Sequence, residues 1–128
     1  MSANLPESEI TDRARVWAAL SNLFVDTDVS LLRQYIATEL ATTPYSDLEL
    51  LKILRHEAGP VFFANLLSIA GESVGWTPEE ARPLVDKYLR SPAPFRWFRR
   101  ILGSAIVERV ITEHWPSIRA LRILAREP

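Results

Sequence analysis

Pro60-Val61-Phe62-Phe63-Ala64-Asn65-Leu66-Leu67-Ser68-Ile69-Ala70-Gly71 is the stretch on which the fold turns. Pro60 suits the first turn of a helix, where its missing N–H costs nothing. A helix over 60–71 is apolar on most sides, and such a helix belongs at the centre of a bundle with neighbours all round. Its polar row is Asn65, Ser68 and Glu72, spaced by three and four on one face. Buried polar groups need partners. The row is therefore either a satisfied network that fixes helix register, paired with His56, Glu57 or Arg15, or the floor of a binding pocket.

Working outward, the same helical spacing recurs on both sides. Upstream, Ser46 and Glu49 form a capping box. It opens a helix over 47–58 that buries Leu48, Leu51 and either Ile53 or Leu54, and ends near Gly59. Thr42-Thr43-Pro44-Tyr45 breaks the chain before it. Asp28 or Ser30 caps a helix over 30–41 with Leu32, Tyr35, Ile36 and Leu40 inward. The first helix spans 12–25, starts at Thr11 and carries Val16, Trp17, Leu20, Leu23 and Phe24 as one stripe. Downstream, Thr77-Pro78-Glu79-Glu80 opens a helix running to about Leu89, with Pro83 placed to kink it. Ser91-Pro92-Ala93-Pro94 reads as a stiff linker. Beyond it, Phe95, Phe98, Leu102, Ile106 and Val110 mark one or two further helices, broken or restarted at Pro116. Gly103 weakens that run by about 1 kcal/mol against alanine and marks a close helix contact. No alternating strand pattern is present. The expectation is an all-α fold: a single compact bundle of six or seven short helices over 1–128, with 1–10 a flexible N-terminus.

The chain of 128 residues is 48% hydrophobic and 24% charged, which places it among globular domains and away from disorder. It has no cysteine, which removes disulfides, zinc thiolates, iron–sulfur ligation and thiol catalysis together. Met1 to Ile10 is polar and acidic, unlike a signal peptide. No apolar run reaches the roughly 18 residues a membrane span needs. A cytoplasmic protein is expected. His56 is followed by Glu57-Ala58-Gly59-Pro60, so no second histidine completes a metalloprotease motif. His56 and His114 read as surface or capping residues. The four glycines are too scattered for a phosphate loop, and no serine elbow or dinucleotide fingerprint is present. No cofactor, metal or catalytic residue is expected.

The net charge of −1 hides a split: residues 1–60 net −4 and residues 92–128 net +4. The two ends either neutralise each other in the fold or steer the protein to a charged partner. Two surfaces follow from the split. Asp26, Asp28 and Glu39 form an acidic corner that either caps helices or meets a basic partner. The calcium reading of that corner fails, because spaced oxygen ligands and a mid-loop glycine are missing. Arg96, Trp97, Arg99 and Arg100 form a basic, aromatic face. Its arginines either pair with the acidic half, anchor a protein partner or bind nucleic acid. The overall acidity, with Glu108, Glu113 and Glu127 interrupting the basic run, disfavours nucleic acid.

Arg15-Val16-Trp17-Ala18-Ala19-Leu20-Ser21-Asn22-Leu23-Phe24-Val25-Asp26-Thr27 resembles the opening of a family of small bacterial proteins of unknown function. Pro44-Tyr45-Ser46-Asp47-Leu48-Glu49 and Asn65-Leu66-Leu67-Ser68-Ile69-Ala70-Gly71-Glu72 resemble its later stretches. Gly59 stands where the family has alanine, and Val74 where it has tryptophan. The resemblance covers roughly 13–90 and implies a bacterial, helical, cytosolic protein with no catalytic residues. Proteins of this kind are sometimes immunity partners of secreted toxins. The expected function is a non-enzymatic protein that binds a protein partner, of the immunity or antitoxin kind. The alternative is a nucleic-acid-associated regulator using the C-terminal arginines, and a pocket around Asn65, Ser68 and Glu72 is a third reading.

Overall fold

A computed structural model describes residues 6–25, 28–68, 71–72 and 74–126. Among these the fold is all-α, with six α-helices and no strand. Helix α1 spans Glu7–Ser21 and runs on as a 3-10 turn, Asn22–Phe24. It starts earlier than the sequence suggests: Thr11 lies inside it, its hydroxyl donating to the Glu7 carbonyl at 2.9 Å. Residues 7–10 are therefore helical, contrary to the expected flexible N-terminus of 1–10. Val16, Trp17, Leu20, Leu23 and Phe24 are all buried, as the stripe predicts.

A 3-10 turn, Val29–Leu32, is capped by Asp28, whose carboxylate accepts from the Ser30 N–H at 3.0 Å. Helix α2 follows, Arg33–Ala41. Ile36 and Leu40 are buried, but Tyr35 is 55% exposed, contrary to its expected inward position. Both arms of the Ser46–Glu49 capping box form at the start of helix α3, Asp47–Ile53. Leu48 is 80% exposed, and Leu50, Ile53 and Leu54 fill the core in its place.

Gly59 does not end this helix. The chain passes through a π turn, Leu54–Ala58, into helix α4, Gly59–Phe62, and a 3-10 turn, Phe63–Leu67. The Gly59 N–H bonds the Leu54 carbonyl five residues back, and Pro60 has no N–H to offer. In an α-helix the Pro60 ring would meet the carbonyl four residues before it. The wider turn relieves that contact and carries Leu54, Glu57 and Ala58 inward together. Of the helix expected over 60–71, residues 60–62 are α-helical and 63–67 form the 3-10 turn. It stops at Leu67, Ser68 is extended, and burial covers Phe62 and Phe63 but not Leu67.

Helix α5, Pro78–Arg90, opens with the Thr77–Glu80 capping box and runs continuously through Pro83. Helix α6 is one element, Ala93–Arg126, so Pro94 lies in its first turn and Pro116 neither breaks nor restarts it. It buries Gly103, Val107, Val110, Ile111, His114, Trp115, Ile118 and Arg122. The stripe expected to pack it points elsewhere: Phe95, Phe98 and Leu102 face out. Helix α6 crosses α4 and lies along α2, while α1 packs on α2, α5 and the π turn. The α4–α6 crossing is close because glycine sits on both sides. A Cβ on Gly103 would lie 2.6 Å from the Phe63 ring, and one on Gly59 would lie 2.8 Å from Val107. No helix among the described residues is long and apolar enough to cross a membrane.

Candidate functional site

The π turn places the Glu57 carboxylate in the core beside α1. Arg13 grips it with two bonds, Nε to Oε1 at 3.0 Å and Nη2 to Oε2 at 2.6 Å. The Trp17 indole N–H donates to Oε1 at 2.8 Å. A buried carboxylate is tolerated only with such complete pairing. The same pair holds the Arg13 guanidinium well above its ordinary pKa, the Glu57 hydrogen bond being the larger cause and burial opposing it. Arg13 also lies over the Tyr45 ring, 5.7 Å from its centroid. The Tyr45 hydroxyl is buried without a hydrogen-bond partner among the described residues.

Outside this pair opens a cleft of about 670 Å³. Its floor is Arg13, Tyr45 and Glu57. One wall is α3 and the π turn, with Lys52 and His56. The other is the end of α5 and the start of α6, with Tyr88, Arg96, Trp97 and Arg100. Glu49 also reaches the rim, but its carboxylate is occupied by the Ser46 N–H at 2.9 Å. The Tyr88 hydroxyl donates to the Arg96 carbonyl at 3.1 Å, and burial pushes its pKa up. His56 is held below the ordinary imidazole value, first by burial and then by the Arg100 and Lys52 charges.

The basic, aromatic face expected from the sequence is divided by the fold. Arg96 caps the end of α5, donating to the carbonyls of Leu89 and Ser91. Arg99 turns to the other flank, where it bonds the Pro60 carbonyl at 3.0 Å and lies 5.0 Å from the Phe63 ring centroid. Trp97 and Arg100 remain open at the cleft mouth. Beyond them the outer side of α6 is an apolar ridge: Phe95 is 49%, Phe98 56%, Ile101 56% and Leu102 57% exposed, with Trp97 at 64%.

Of the acidic corner, the described residues Asp28 and Glu39 line different depressions. Asp26 lies outside the described residues. Asp28 caps its own turn, and its two Ser30 hydrogen bonds hold its pKa below the carboxylate range. Glu39 lines a different depression, with Arg15 and Tyr35. The polar row is also undone, because the helix ends before Ser68. The Asn65 amide instead ties the chain together, donating to the carbonyls of Phe24 at 2.8 Å and Glu72 at 3.1 Å and accepting from the Glu72 N–H at 2.9 Å. Ser68 and Glu72 are exposed, so they floor no pocket.

His114 is buried rather than superficial. Arg33 Nε donates to its Nδ1 at 3.0 Å, which leaves the proton on Nε2, 3.1 Å from Glu113 Oε1. The ion pair of Arg13 with Glu57 and the floor it makes were missed by periodicity. They join residues far apart in sequence, and nothing local sets Glu57 apart from Asp47, Glu49, Lys52 and Arg55 on the same segment.

A family model described as a domain of unknown function (DUF7079) matches residues 11–121. That range takes in most of α6, beyond the stretch of 13–90 that carries the resemblance. No curated protein and no solved structure matches the chain.

Proposed function

The chain belongs to the DUF7079 family of domains of unknown function, and from the surface it displays we propose that it is a non-enzymatic protein-binding protein. One observation carries this reading: the exposed ridge of Phe95, Phe98, Ile101 and Leu102 on the first turns of α6. Four large apolar side chains in helical register, beside Trp97 and Arg100, make the combination that anchors protein interfaces. The cations that flank the ridge suit an acidic partner surface with an apolar groove. The reading calls on no catalytic group, since the buried Glu57 is already engaged by Arg13 and Trp17.

Within this proposal the partner is a bacterial toxin and the protein acts in the cytoplasm as an immunity or antitoxin protein. Support for that finer reading is the sequence resemblance to small bacterial helical proteins. The nucleic-acid alternative draws less support, because Arg96, Arg99, Arg119 and Arg122 all have acceptors within the fold. Co-expression with the product of an adjacent gene tests the proposal. A complex should form, the partner's toxicity should fall, and Phe98→Glu with Leu102→Glu should abolish both while leaving the urea midpoint unchanged. A complex that survives the double variant would remove the ridge from the interface. The absence of any complex or protection would end the toxin reading.

A further inference from the structure

The cleft between α3 and α6 shares Trp97 and Arg100 with the docking ridge, but Lys52, His56 and Tyr45 line it alone. We infer that it is a binding site for a small molecule that joins a compact anionic group to a flat ring. Its volume of about 670 Å³ lies within the range of pockets that enclose such ligands. Lys52 and Arg100 face it from opposite walls, and neither meets a carboxylate among the described residues. Arg13 cannot supply the anion site, because Glu57 neutralises it.

Two cations left unneutralised across one opening make a place for a single anion. Trp97, 64% exposed, borders the same opening and offers a ring face for stacking, with the buried Tyr88 behind it. The Tyr45 ring closes the floor beside Arg13. The π turn that forms the inner wall is a kind of helix irregularity common at functional sites. His56 lines the same cleft and feels both charges. Burial first and then Arg100 and Lys52 lower its pKa, so an anion seated against those cations moves it upward.

The full chain is titrated by calorimetry with four probes: adenosine monophosphate, a flat aromatic carboxylate, inorganic phosphate and adenosine. One or both of the first two should saturate at or below millimolar concentration, with the single-part probes weaker by about tenfold. Phosphate against carboxylate then identifies the anion. Lys52→Met with Arg100→Met, both exposed positions, should weaken binding by about tenfold. The His56 titration followed by NMR should shift upward with ligand bound. Phe98→Glu with Leu102→Glu should leave ligand binding intact, which separates this site from the protein-docking ridge. No saturation by either joined probe, or saturation unchanged in the Lys52 and Arg100 double variant, overturns the inference.

Discussion

Glu57 and Arg13 show how much one pair can hold. The carboxylate is buried, the guanidinium is mostly buried, and each satisfies the other. Arg13→Met leaves the Glu57 charge in the core with Trp17 as its only donor, so it should cost about 3 kcal/mol of stability, read from urea unfolding. His114 contributes to the pH response, alongside His56, which burial also holds low. Burial and then the Arg33 charge hold His114 below the ordinary imidazole value of 6.5. The unfolded chain therefore takes up a proton on His114 more readily than the folded one. Stability should be level above that value and fall as pH drops through it. His114→Gln should make the fall shallower, measured as urea midpoints on either side. The sequence shows both histidines but not these partners, because Arg33 and His114 are brought together only when α2 lies along α6.

At the scale of elements, capping signals were legible and ends were not. Ser46 with Glu49 and Thr77 with Glu80 form the boxes their spacing predicts, since a cap is decided within four residues. Gly59, Pro60 and Pro116 look like breaks and are none. The widened turn absorbs Pro60, and packing along α2 keeps α6 continuous past Pro116. Gly103 does mark a close contact. Gly103→Ala gains about 1 kcal/mol in helix propensity, but its Cβ would sit 2.6 Å from the Phe63 ring. Phe63 is buried and hemmed in, so overpacking costing about 1–3 kcal/mol should prevail. The variant should melt below the wild type in thermal unfolding. The α6 stripe of Phe95, Phe98 and Leu102 has core spacing and faces outward. Periodicity gives a face, and only the neighbours decide whether that face is covered.

Across the whole molecule, the charge split closes on itself at one point, where two C-terminal arginines meet Asp47. Arg122, only 3% exposed, donates to Asp47 at 2.7 Å and to the carbonyls of Tyr45 and Leu40. Arg119 reaches the same Asp47 at 3.2 Å, whereas the Arg55–Glu108 pair at 2.8 Å runs against the split, its cation in the acidic half. The C-terminal arginines thus anchor α6 to the turn before α3. Arg122→Met should cost about 1–3 kcal/mol by leaving the buried Tyr45 and Leu40 carbonyls without this donor, while Arg119 still reaches Asp47. Hydrogen exchange should then rise first over residues 40–47, and uniform exchange across the chain would contradict that anchoring role.

The sequence by itself determined the helical class, the capping boxes, the buried stripe of α1 and the tight approach at Gly103. These depend on residues within a few turns of one another, so short-range spacing specifies them. Only the tertiary structure decided the length of the central helix. The chain is buried at Phe62 and Phe63, beside α6, and its helical turns end at Leu67, while the Asn65 amide bonds Glu72. Only the tertiary structure joined Arg13 to Glu57, divided Arg99 from Arg100, and left one apolar ridge uncovered. Those outcomes depend on which helices lie against one another, and contacts across forty or more residues are set by packing rather than by pattern.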